Sequence, residues 1–168
     1  MPWIENVAAA DVPLRFHHEA GPNAMLIQIM DPATSWWPTP AHEFKETHRF
    51  EFLDIEADGL TNNGDGEWTD MSEFAITDKQ AAEIVRLLKH ALDNHMNVVV
   101  HCYAGICRSG AVAEVGVMMG FQDAERTRIP NLLVKQKLMR QLGWTYDSND
   151  KPYDHDNDWR NGNIGWER

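Results

Sequence analysis

The stretch Val98-Val99-Val100-His101-Cys102-Tyr103-Ala104-Gly105-Ile106-Cys107-Arg108-Ser109-Gly110 decides how this chain is read. Three consecutive valines are too short a run, and too stiff at χ1, for anything but a buried strand. From Ser109 to Met119 an apolar helical pattern takes over, and Gly120 stops it. Between them lies a loop that leaves a strand and enters a helix, with a cysteine at its start and an arginine near its end. Such a loop can turn successive backbone N–H groups inward as a cradle for an anion, and the helix behind it adds unpaired N–H groups and the positive end of its dipole. A thiol placed in an electropositive cradle is favoured as thiolate, the nucleophilic form. Gly105 has no Cβ, so the loop can turn tightly and its backbone can approach the anion. Arg108 presents a planar fork that grips two oxygens at once, and Ser109 can hydrogen-bond the sulfur.

Outward from this loop, Thr77-Asp78-Lys79-Gln80 forms a capping box that opens a helix, with Ala81, Ile84, Val85, Leu88 and Leu92 on one face and 94–97 at its end. Residues 24–30 read as a short buried strand ending at Asp31-Pro32, and 48–57 as a second, with Phe50 and Phe52 alternating with Arg49 and Glu51. Residues 1–24 read as loop, because Pro13, Gly21 and Pro22 break any regular pattern. In the turn-rich 33–40, Trp36-Trp37 either packs or lines a cleft, packing being the commoner fate. The polar, glycine-rich 58–69 reads as a surface loop. Pro130 is expected in the first turn of a last helix, with Leu132, Leu133, Gln136, Met139 and Leu142 recurring before Gly143. Residues 144–168 form a polar C-terminal extension, in which Trp159 and Trp166 suit docking on the body. With no internal repeat, residues 1–168 are expected to be a single domain. Alternating strands and helices predict an α/β sandwich, a central, largely parallel sheet flanked by helices. Ligands of such sheets sit beyond the carboxyl ends of the strands, where the loop lies.

Composition narrows the function classes. At 168 residues, 43% hydrophobic and 24% charged, the chain has the make-up of an ordinary globular domain. A net charge of −11 argues against nucleic acid and anionic membranes as partners. Two cysteines, Cys102 and Cys107, make no disulfide framework and fit a reducing compartment. Met1-Pro2-Trp3-Ile4-Glu5 lacks the features of a secretory signal and no apolar run reaches membrane-spanning length, so a cytoplasmic location is expected. His101, Cys102 and Cys107 make a poor zinc site without paired histidines, and His17-His18 read as surface residues. No metal and no cofactor are expected.

The loop resembles the signature of the protein tyrosine and dual-specificity phosphatase superfamily, His-Cys-x5-Arg-Ser/Thr, complete here as His101, Cys102, Arg108 and Ser109 with Ala104-Gly105 in the usual middle. The resemblance spans roughly residues 24–143, weakly before Phe50 and strongly over 98–115, and the loop looks like that of small bacterial and phage members. Low-molecular-weight phosphatases and arsenate reductases place their cysteine near the N-terminus and fit poorly. The resemblance implies a dual-specificity-like fold and a two-step reaction. Cys102 would attack phosphorus to give a phosphocysteine, Arg108 would clamp the phosphoryl oxygens, and an aspartate would protonate the leaving oxygen and later activate water. Tyr103, Ala104, Gly105, Ile106, Cys107 and Ser109 would surround the substrate phosphate, and His101 would support the loop. Cys107 stands where many relatives carry serine. It reads as a small filler, the alternative being a partner for oxidised Cys102 in a reversible disulfide.

In the family the acid sits on a loop some thirty-odd residues before the cysteine. Asp54, in Phe52-Leu53-Asp54, resembles a Phe-x-Asp motif, Asp70 has the better spacing, and Asp58 is a third choice; they rank in that order. The expected substrate is a phosphorylated protein or peptide, phosphotyrosine first, with phosphoserine and phosphothreonine open. The alternatives are a catalytically weak module that binds phospho-ligands, and a phosphatase for a non-protein phosphate monoester. Tyr103, Ala104, Ile106 and Cys107 carry no charge, which counts against a highly anionic substrate. The sequence leaves the oligomeric state open.

Overall fold

The computed structural model describes residues 1–14, 18–55, 60–62 and 68–145. Among the described residues seven strands run in chain order as β1 (Trp3–Ala8), β2 (Ala24–Met30), β3 (Glu46–Glu51), β4 (Leu60–Asn62), β5 (Trp68–Asp70), β6 (Asn97–Cys102) and β7 (Gln122–Asp123). Three helices accompany them, α1 (Asp78–Asp93), α2 (Arg108–Met119) and α3 (Leu132–Gln141). Five strands form one sheet in the order β3-β2-β6-β1-β7, and every pairing in it is parallel. This is the α/β architecture expected from the sequence. Among the described residues no helix is long and apolar enough to cross a membrane.

Parallel strands covered on both faces become continuous apolar runs, and β2 is buried at every position. Val98, Val99 and Val100 are fully buried in β6, which lies between β2 and β1. In α1 the capping box is closed both ways: Gln80 N–H donates to Thr77 Oγ1 at 3.0 Å, and Thr77 N–H to Gln80 Oε1 at 2.9 Å. Ala81, Ile84, Val85 and Leu88 then lie in the core, with Leu92 packed at its margin. Helix α2 is buried from 108 to 116, because it lies against β6 and β1 and is covered by α3.

Four expectations need correction. Residues 1–24 are not all loop. Pro13, Gly21 and Pro22 follow β1, whose buried Glu5 and Asn6 interrupt the apolar signal that would have marked a strand. The second strand is Glu46–Glu51, not 48–57, because after Glu51 the chain turns toward the Ser72–Phe74 turn, where Leu53 N–H meets Phe74 C=O at 2.8 Å. The 58–69 stretch is not wholly surface loop, since β4 and β5 pair antiparallel with Leu60 opposite Asp70. Finally, Pro130 precedes the last helix, Asn131 caps it, and its buried face is Val134, Lys135, Leu138 and Met139. Of the expected pattern Met139 is buried and Leu133 and Leu142 pack against the core, while Lys135 within the inward stripe hides the rest of that face. The C-terminal tryptophans Trp159 and Trp166 lie outside the described residues.

Candidate anion-binding active site

The loop between β6 and α2 wraps around the Cys102 sulfur. Gly105 N–H donates to Sγ at 3.2 Å, and Ser109 Oγ stands 3.2 Å from it on the opposite limb. Cys102 itself is 2% exposed. The carbonyls of the loop are engaged outward. Tyr103 C=O accepts from Ala9 N–H, Gly105 C=O from Asn6 Nδ2, Ile106 C=O from Ile129 N–H, and Cys107 C=O from Ala111 and Asn131 N–H. No peptide among the described residues is cis, so in each unit of the loop the N–H points opposite to the C=O. The amides of Ala104, Ile106, Cys107 and Arg108 are thereby turned into the loop, where they form an anion nest. Gly105, at φ +77°, lies so close to the Val7–Ala8 peptide that a Cβ would collide with it. Only glycine fits here on both counts.

Arg108 is 5% exposed and is held by one nitrogen. Its Nη1 donates to Asp31 Oδ1 at 2.7 Å and to Phe52 C=O at 2.8 Å. Its buried Nε has no hydrogen-bond partner among the described residues. A buried guanidinium N–H costs free energy unless something accepts from it, and an oxyanion in the nest would. His101 sits in the sheet interior at 0% exposure, between Val7 and Gln28 in the ladders. Burial pushes its pKa down to about 4, with the Cys102 backbone drawing it part of the way back and the Arg108 charge lowering it further. Neither ring nitrogen makes a hydrogen bond of good geometry to a described residue. The imidazole is neutral at neutral pH, so the anion-binding charge here is that of Arg108.

A buttress carries the far side of the loop. Arg128 Nε donates to Glu114 Oε1 at 2.7 Å, and its Nη1 and Nη2 to Asp123 at 3.0 and 2.9 Å. Burial opposes the Arg128 charge, but these carboxylates hold its pKa above the usual value. A hydrogen bond from Arg128, opposed in part by burial, keeps Asp123 below the ordinary carboxylate range. Gly110 leaves room for the segment, since a Cβ there would stand 2.9 Å from Arg128 Cβ. The buttress brings Ile129 and Asn131 to the loop carbonyls.

Of the acid candidates, Asp54 is exposed on the stretch after β3 between buried Phe52 and Ile55, and its Oδ1 accepts from Asn131 Nδ2 at 2.7 Å. The same Nδ2 donates to Ile55 C=O at 2.9 Å, while Asn131 Oδ1 accepts from Val134 N–H and its own N–H binds Cys107 C=O. One fully buried asparagine thus ties the Asp54 stretch to the cysteine loop and caps α3. Asp70 ends β5, in register with Leu60. Asp58 and His17 lie outside the described residues. Tyr103, 67% exposed, stands at the rim; Ile106 and Cys107 are partly covered. Trp37 packs under Arg49 at 4.9 Å, whereas Trp36 is exposed. Among the described residues no three His, Cys, Asp or Glu side chains gather to hold a metal ion.

Sequence reading missed Asp31, Asn6 and Asn131. Asp31 ends an apolar strand just before a proline, and Asn131 precedes a helix, so both positions carried a signal. Asn6 carried none until β1 was placed beside β6.

Among known protein families, residues 52–119 match one described as "Polymorphic toxin system, DSP-PTPase phosphatase". The match begins at Phe52, takes in Asp54, Asp70 and the whole loop, and ends with α2. Over these residues the chain is similar to dual-specificity phosphatases, before the loop as well as within it. No curated protein matches the sequence. Among solved structures, the crystal structure of Tk-PTP in the active form is similar at a TM-score of 0.39 and 13% identity, over 89% of this chain and 86% of that one.

Proposed function

We propose that the protein is a metal-independent cysteine phosphatase that hydrolyses phosphotyrosine-type monoesters through a phosphocysteine. The observation that carries this reading is the Arg108–Cys102 pair. The guanidinium is fixed by Nη1 while its buried Nε donor is left over, at the end of a loop whose Gly105 amide donates to the Cys102 sulfur. That is the electrostatic complement of a phosphoryl group in transfer. The matched phosphatase family supports the same reaction class.

In the proposed reaction Sγ attacks phosphorus in line. The S–P bond forms as the P–O bond to the leaving group breaks, and the leaving oxygen takes a proton from Asp54. Arg108 and the loop amides neutralise the phosphoryl oxygens, a task that otherwise falls to a metal ion. Water then attacks phosphorus and gives a proton to Asp54, while the Ser109 hydroxyl donates to the departing thiolate. Asp54 is preferred over Asp70 because Asn131 binds it to the loop that holds the nucleophile. The uncharged loop residues Tyr103, Ala104, Ile106 and Cys107 favour a simple monoester over a more highly anionic substrate.

The test is hydrolysis of para-nitrophenyl phosphate with EDTA and a thiol reductant present. The wild type turns over, and Cys102→Ser falls to background while keeping its melting temperature. Equal rates in both would end this reading.

A further inference from the structure

We infer that Asn6 is a positioning residue that fixes the oxyanion-binding orientation of the Gly105–Ile106 peptide. The inference rests on the anion-loop reading of Cys102 and Arg108. Asn6 lies in β1, in register with Val100 of β6, and is 4% exposed. Its Nδ2 donates to Gly105 C=O at 2.7 Å and to Thr127 C=O at 3.0 Å. Both acceptors are carbonyl oxygens, so the orientation of the amide is unambiguous.

The peptide unit after Gly105 has a glycine on one side and a β-branched residue on the other. Gly105 has no Cβ to restrict ψ, so only the φ of Ile106 resists rotation of the adjoining plane from within the loop. If that plane flipped, Gly105 C=O would enter the nest and Ile106 N–H would leave it, replacing a donor with an acceptor where the phosphoryl oxygens sit. The Asn6 amide holds the carbonyl outward. Through Thr127 it also joins the loop to the segment that carries Ile129 and Asn131, so strand, loop and buttress share one side chain. A buried amide in a central strand disrupts an apolar surface and is costly unless its donors are used. Here both are used, and one acceptor belongs to the anion loop.

The experiment compares the wild type with Asn6→Leu, similar in volume but without donors, and with Asn6→Ser, a smaller side chain whose stability cost differs. Three quantities are measured on folded protein: tungstate affinity by calorimetry, the ratio of Cys102 alkylation rates by iodoacetate and iodoacetamide, and the split between kcat and KM. The wild type binds tungstate and prefers the anionic reagent. In the leucine variant tungstate binds about tenfold or more weakly, the scale of one charge-assisted hydrogen bond. Its preference for iodoacetate over iodoacetamide declines in parallel, and kcat falls with KM raised. If Asn6→Leu does not fold, the same three quantities are read on Asn6→Ser, with the same changes expected. Tungstate affinity and alkylation ratio equal to wild type in whichever variant folds would overturn the role of Asn6. A wild type that binds no tungstate would instead overturn the anion-loop reading itself.

Discussion

At the scale of single residues, the site separates groups that carry charge from groups that must not. Arg108 is anchored by a carboxylate and a carbonyl on one nitrogen, whereas His101 next to Cys102 is kept neutral by burial. The depressed histidine has a thermodynamic consequence. Its folded pKa of about 4 lies below the unfolded value near 6.5, so below 6.5 the unfolded chain binds the proton first. The stability it protects is intact above pH 6.5 and drains away as pH falls toward 4, a loss of about 3 kcal/mol at roughly 1.4 kcal/mol per unit. Denaturant midpoints followed from pH 7 to 4 should slope downward in the wild type and much less in His101→Phe; equal slopes would contradict it. Glu46, held below the usual range by hydrogen bonds from His48 and His90, gives up its contribution only further down. Asp54 makes a different prediction. A general acid matters in proportion to how poor the leaving group is, so Asp54→Ala should lose about 10²–10⁴ in kcat on phosphotyrosine and far less on an activated aryl phosphate. The same pattern in Asp70→Ala, with Asp54→Ala unaffected, would move the role to Asp70.

At the scale of elements, Asn131 joins three tasks that substitutions can separate. Asn131→Asp keeps an oxygen to cap α3 through Val134 N–H, but it loses the N–H donors to Asp54 and Ile55 and sets a second carboxylate beside the first. The variant should lose about 1–3 kcal/mol of stability. It should also show the leaving-group dependence of Asp54→Ala in weaker form, read from rates across a series of aryl phosphates; a flat series would leave Asn131 a cap and nothing more. The elements also mark where sequence reading succeeds. Three valines, a glycine stop and a Thr-x-x-Gln box are local signals, and β6, α2 and α1 follow from them. The loop was legible because its chemistry is compressed into ten consecutive residues. β1 was not, since Glu5 and Asn6 are buried through partners far along the chain: Arg126 for the first, Gly105 and Thr127 for the second. The buried face of α3 was hidden for a related reason, because Lys135 at 1% exposure breaks the stripe that periodicity looks for. Asp31 reaches Arg108 across 77 residues, a distance no local pattern spans.

At the scale of the molecule, a chain of net charge −11 gathers the candidate anion-binding groups beyond the carboxyl ends of the central strands of a parallel sheet. The three adjoining strands β2, β6 and β1 end there together, delivering Asp31, Cys102 and the Ala9 amide to the same loop. On the proposed reading the net negative charge disfavours polyanions, and buried Arg108 at the end of the cysteine loop suits a single phosphate rather than a charged backbone. The direct test of the central claim is rapid-quench mass spectrometry on wild-type protein mixed with an aryl phosphate and stopped in acid. The account predicts a transient peptide, spanning Cys102, heavier by one phosphoryl group, formed with the burst of phenol and absent from Cys102→Ser. Turnover with no such adduct at any time, or with the phosphoryl group on another residue, would contradict it.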